Sequence, residues 1–117
     1  MNPQQAVSDY YSRYVDFQSR TSRPGFWWVF LYQLVVYVII AALSAVSAGL
    51  GAVLITLWGL AHIVPSIAIT VRRLHDSGKT GWLALIWFVP FVGWLIVLVM
   101  MVLPGDDGTN NWGDKPA

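Results

Sequence analysis

The sequence predicts an all-α integral membrane protein, with an N-terminal amphipathic surface helix and three transmembrane helices at about residues 26–48, 52–71 and 82–103. Two uncharged tracts and the placing of the charges carry this expectation. From Phe26 to Val71 there are 46 residues without one Asp, Glu, Lys or Arg, and from Thr80 to Gly105 there are 26 more. A helical span takes roughly 20 predominantly apolar residues, so the first tract holds two spans and the second holds one. The charges crowd into three short polar segments. They make up 11% of the 117 residues, against about 25% in ordinary globular chains. The length fits a single membrane domain: an interfacial segment 1–25, a three-helix region 26–103 and a polar tail 104–117.

In the first segment Val7, Tyr10, Tyr11, Tyr14 and Phe17 recur with a helical period, and polar residues fill the other positions. Tyrosine favours the membrane–water boundary, so this reads as a helix lying on the membrane surface. Pro24 suits the first turn of the next helix, where its missing N–H leaves nothing unpaired. Trp27 and Trp28 then sit where an aromatic belt places them. Gly49-Leu50-Gly51 reads as the turn between spans one and two. Pro65 lies inside span two and cannot bond the carbonyl of Ala61, so a kink is expected, tolerable in a bundle that re-satisfies that oxygen. Residues 72–81 form a polar loop. Span three carries Pro90 and Gly93 near its middle, and the tail from Pro104 reads as loop. A cleaved signal peptide is a poor reading, because the apolar stretch is too long for one.

Three spans put the N-terminal segment and the 72–81 loop on one side, with six of the seven Lys and Arg residues. The positive-inside rule then puts the N-terminus in the cytoplasm and the C-terminus outside.

The loop from Arg72 to Trp82 is the densest polar patch. Asp76 stands four residues after Arg72 and three after Arg73, in reach of an intrahelical pair, and Gly78 suits a left-handed helix end. Arg20, Arg23, Arg72, Arg73, His75, Asp76, Lys79 and Trp82 together make a candidate basic, aromatic-rimmed surface for an anionic lipid headgroup or a protein partner. The plainer reading is topology anchoring. Gly78-Lys79-Thr80 is not a nucleotide loop, since Arg73 stands where the earlier glycine is needed.

His62 lies near mid-bilayer. Thr56, His62, Ser66 and Thr70 share one helix face, a polar stripe that is a candidate proton or solute path. The plainer reading is a neutral histidine bonded to a carbonyl and serving helix packing. Ala41, Ala45 and Gly49 form a small-residue ladder suited to close helix contact, within the chain or with a second copy. Cysteine is absent and the six carboxylates lie in boundary segments. No catalytic cluster or metal-ligand spacing is present, and no cofactor is expected. A net charge of +1 argues against nucleic acid.

One family resembles this chain over about residues 14–113. The elements that carry the resemblance are Arg72-Arg73-Leu74-His75-Asp76 with Ser77-Gly78-Lys79-Thr80-Gly81-Trp82, then Pro90 and Gly93. To these add Arg20-Thr21-Ser22-Arg23 leading to Phe26-Trp27-Trp28, and Gly105 through Asn110 to Gly113. The chain resembles the small bacterial inner-membrane proteins grouped as domain of unknown function 805. It departs at Ser19, where the family usually has Gly, and at Gly25, where it usually has an acid. The resemblance implies an inner-membrane address and no activity. The expectation is therefore a non-enzymatic membrane protein acting by association with itself, with lipid or with a membrane complex. A small oligomeric transporter or channel is the alternative.

Overall fold

The computed structural model describes residues 2–116. The chain runs through α1 (Pro3–Ser12), α2 (Arg23–Val46), α3 (Ala48–Asp76), a 3-10 helix (Gly81–Phe88) and α4 (Val92–Val102). Among the described residues there is no strand, only an isolated bridge between Asn110 and Gly113. The all-α expectation holds.

α2 and α3 form an antiparallel hairpin of 24 and 29 residues, both long and apolar enough to cross a membrane. Only 11% and 22% of their most apolar stretches are buried within the chain. The core helix of a soluble protein would be mostly covered, so this exposure favours lipid as their solvent. Their turn is not at the glycine pair. Ser47 makes it, and its hydroxyl accepts from the Leu50 amide to start α3. Gly51 instead gives room: a Cβ there would collide with the side chain of Ser44. Ala45 and Gly49 on the expected ladder stay exposed, as does Ala41. α3 runs unbroken past Pro65, and Tyr14 donates to the Ala61 carbonyl that this proline leaves free.

α1 opens with a capping box between Asn2 and Gln5. It packs against α2 and α3 with Tyr10 fully buried. The expected membrane-surface helix is thus a helix seated on the other two, because its tyrosine hydroxyls find partners there. Phe17 lies beyond the helix end, in the loop that leads to α2.

The largest departure is over 82–103, where one continuous span was expected. Pro90 has no N–H to give and disfavours helical backbone before it. Phe91 follows with φ 60°, and the chain reverses. The 3-10 helix rises roughly 16 Å and α4 about 16 Å. Neither alone matches the roughly 30 Å of a bilayer core. They pack as a hairpin whose apex, Phe91, is 78% exposed. Trp94 locks it by donating from Nε1 to the Trp87 carbonyl at 2.8 Å.

Both ends of this hairpin lie at one end of the molecule. Gly81 sits against Val71 and His75, while Trp27 donates to the Met101 carbonyl and Arg23 to that of Val102. The tail then turns back over α3, where the Asp106 amide donates to the Asp76 carbonyl at 2.6 Å. The polar tail, expected apart from the 72–81 loop, lies against it, because the second apolar tract reverses at Phe91. The C-terminal Ala117, expected outside, lies beyond the described residues. The core beneath this end gathers Tyr10, Phe26, Val29, Ile69, Leu74, Val97 and Met101.

Candidate functional site

The C-terminal end of α3 and the segments folded over it hold most of the polar side chains. Successive residues on a helix point about 100° apart. Arg72 accordingly faces the N-terminal segment, and Arg73 faces the C-terminal tail. Arg72 donates from Nε to Thr21 at 2.9 Å and from Nη1 to the carbonyls of Arg13 and Asp16 at 2.8 and 2.9 Å. Its Nη2 is buried without a partner. Arg73 donates to the carbonyls of Met101 and Leu103.

Asp76 links the two sides. Its Oδ2 accepts from Arg73 Nη1 at 2.9 Å, and its Oδ1 from Arg20 Nε at 3.0 Å. The side chains of Arg20, Asp76 and Arg73 are 1%, 5% and 0% exposed. Arg20 spends its remaining donors on carbonyls of the tail: Asp106 at 2.8 Å, Gly108 at 2.7 Å and Gly113 at 3.0 Å. A buried charge is tolerable when it is paired and fully hydrogen-bonded, and here backbone oxygens supply what one carboxylate cannot. The Arg73–Asp76 pair expected from spacing is present; Arg72 takes no carboxylate. α3 ends in a Schellman turn: the Lys79 amide bonds the Leu74 carbonyl, the Gly78 amide bonds that of His75, and Gly78 has φ 76°. His75 donates from Nδ1 to the Ser19 carbonyl at 3.1 Å and stacks on Trp112 at 4.6 Å.

This changes the expected binding surface. Arg20, Arg72, Arg73, His75 and Asp76 are brought together but buried, so they are not free to grip a headgroup. Only Arg23, Lys79 and Trp82 keep exposure, Trp82 at 78%. The polar stripe is altered too. Thr56 stands exposed and apart. Ser66 bonds Tyr10 at 2.9 Å, and Thr70 bonds the Ser66 carbonyl and the Trp87 indole. His62 Nδ1 faces the Trp58 carbonyl at 2.7 Å. A carbonyl only accepts, so Nδ1 carries the proton and Nε2 accepts from Tyr11 at 2.7 Å. α1 packs over the stripe at Ser66 and His62, while Ser66 and Thr70 border an apolar cavity.

Sequence reasoning missed Tyr10, Tyr11, Gly105 and Trp112 as members of these networks. A Cβ on Gly105 would overlap the Asp76 carboxylate, so only glycine lets the tail lie there. The signal available was the need itself: three arginines beside apolar tracts require more acceptors than one aspartate provides.

Asp16 heads the loop between α1 and α2. Burial pushes its carboxyl up, but hydrogen bonds from the Ser19 hydroxyl and the Gln18 and Ser19 amides, with Arg13 at 3.5 Å, outweigh this and bring it down to about 2. A carboxyl depressed on folding stabilises above its unfolded value, about 4, and that contribution fades as pH falls through about 2. The thermal midpoint of Asp16→Asn in maltoside should lie below the parent at pH 6, by at most about 2 kcal/mol of stability. The gap should narrow to about a third on acidification to pH 2.5 and close only below about pH 2. A gap that stays constant with pH would contradict this.

Two adjoining open cavities flank α3 and the 3-10 helix, the first bordered also by the loop 13–22 and the tail, the second by α1 and α2. One, about 1040 Å³, opens at the polar end beside Asp16, His75, Trp82 and Trp112. The other, about 610 Å³, is almost wholly apolar and is walled by Phe26, Val29, Phe30 and Phe88. Ile67, Ala84 and Leu85 line both.

The chain is similar to known inner membrane proteins. Inner membrane protein YhaI of Escherichia coli K12 is 37% identical over 103 residues, covering 88% of this chain and 87% of its own. Inner membrane protein YhaH of the same organism is 33% identical over 107 residues, covering 88% of each. No solved structure matches. The family model described as protein of unknown function (DUF805) matches residues 14–114, and this chain belongs to that family.

Proposed function

We propose that this chain is a non-enzymatic bacterial inner-membrane protein that works by holding a membrane amphiphile in the cleft beside α3. The location is supported by the names of its relatives and by the two long exposed apolar helices. α2 and α3 cross the bilayer as a hairpin, and the 81–103 segment enters and leaves from one face. All seven Lys and Arg residues then belong to that face, which the positive-inside rule assigns to the cytoplasm, with α1 and the tail 104–116.

The observation that carries the function is the pair of adjoining cavities that share Ile67, Ala84 and Leu85, one with Asp16 and His75 in its lining and the other almost wholly apolar. Amphiphile sites have this form: a mostly apolar enclosure with a few placed polar groups. Association with a second copy or another membrane protein remains compatible, through the exposed half of the α2–α3 hairpin.

Native mass spectrometry after extraction in mild maltoside tests the reading. Lipid-sized adducts should persist on the parent chain. Leu85→Trp, at a half-exposed position lining both cavities, should lose most of them. A parent chain that emerges without lipid, or adducts indifferent to Leu85→Trp, would overturn the proposal.

A further inference from the structure

Resting on that cleft reading, we infer that its polar mouth selects an ammonium head carried on a single apolar chain. Among the described residues, Asp16 is the only carboxylate lining either cavity, and no Lys or Arg lines them. Its carboxylate accepts from the Ser19 hydroxyl and from the Gln18 and Ser19 amides, all neutral donors that leave its charge in place, and the cation beside it is shared with a second carboxylate. Arg13 is committed to Asp9 by two hydrogen bonds of 3.0 and 2.8 Å, and stands 3.5 Å from Asp16. Arg72 reaches only the Asp16 backbone carbonyl.

Phe17, Trp82 and Trp112 line the same cavity as this carboxylate, and Phe17 and Trp82 are 39% and 78% exposed. Aromatic faces beside a carboxylate attract organic cations, whose weak hydration makes the transfer favourable. An anionic head would instead meet a carboxylate, with His75 but no Lys or Arg among the lining side chains of the described residues. The apolar chain passes Ile67 and Leu85 into the inner cavity. There the hydroxyls of Tyr10, Ser66 and Thr70 already have partners and claim nothing from a ligand.

The ammonium could belong to an ethanolamine phospholipid or to a free alkylammonium, and the head chemistry is shared. The test uses the full chain in maltoside micelles, titrated with dodecyltrimethylammonium, dodecyl sulfate and a single-chain lysophosphatidylethanolamine, with retained ligand counted by native mass spectrometry. The alkylammonium should bind at least about tenfold more tightly than the sulfate. Asp16→Asn keeps the acceptor for the Gln18 and Ser19 amides while removing the charge, and should shrink that preference to about threefold or less. Trp82→Ala, at an exposed position, should weaken the alkylammonium about 3–10-fold and leave the sulfate unchanged. Tighter lysolipid than alkylammonium identifies a lipid source; the reverse identifies a free cation. Sulfate binding as tight as alkylammonium, or a preference untouched by Asp16→Asn, overturns the head-group inference while leaving the cleft standing. Failure of all three to bind removes the cleft reading as well.

Discussion

Asp76→Ala should leave the protein unable to hold its fold in detergent, with a loss of about 3–5 kcal/mol. Total stabilities of single domains are about 5–15 kcal/mol, so a loss of this size removes much or all of the margin. The reason is asymmetric. Arg20 and Arg73 are both nearly inaccessible to solvent, and Asp76 is their only carboxylate partner within 4 Å among the described residues. Truncating it leaves two guanidiniums in a poorly polarisable setting, facing carbonyls alone. Asp76→Asn retains one oxygen acceptor and should be the milder change. The measurement is the thermal midpoint by intrinsic fluorescence, together with elution behaviour in maltoside. An Asp76→Ala chain that elutes as a single sharp species with an unchanged midpoint would show that the carbonyl contacts suffice without the carboxylate.

The same centre shows which features the sequence made legible. The uncharged tracts announced α2 and α3, since nothing but length and hydropathy is needed to infer a helix that satisfies its own backbone in lipid. The helix end at Gly78 and the Arg73–Asp76 pair were also legible, because both depend on residues within four positions of each other. What failed to show was long-range. Arg20 lies 56 positions from Asp76 and 93 from Gly113, and no local period links them. The basic residues therefore read as a surface when they are an interior clamp on the tail. The tyrosines of α1 misled for a similar reason. A tyrosine satisfies the membrane boundary and a buried hydroxyl partner equally well, and only the location of Ser66 and His62 decides between them.

Gly93→Ala separates the two possible courses of the second apolar tract, because they predict opposite signs. In a continuous membrane helix over 82–103, alanine at this position would be neutral or stabilising by up to about 1 kcal/mol. In the hairpin, a Cβ on Gly93 falls on the carbonyl oxygen of Ile86 and presses on Val89, both fixed by the backbone of the turn. The neighbour that must yield is main chain, not the tip of a flexible side chain. Overpacking of this kind should destabilise by about 1–3 kcal/mol, and Gly93→Val by more. The chain has no cysteine, so single cysteines report sidedness in the same experiment. Ser77→Cys and Thr109→Cys should both react with an impermeant thiol reagent from one face of sealed vesicles, and Val46→Cys from the other. A stabilised Gly93→Ala with Thr109→Cys labelled opposite to Ser77→Cys would restore a third full crossing. That arrangement would put the bilayer between the tail and Arg20, and the buried arginines would then lack the carbonyls of residues 101–113 that make their burial affordable.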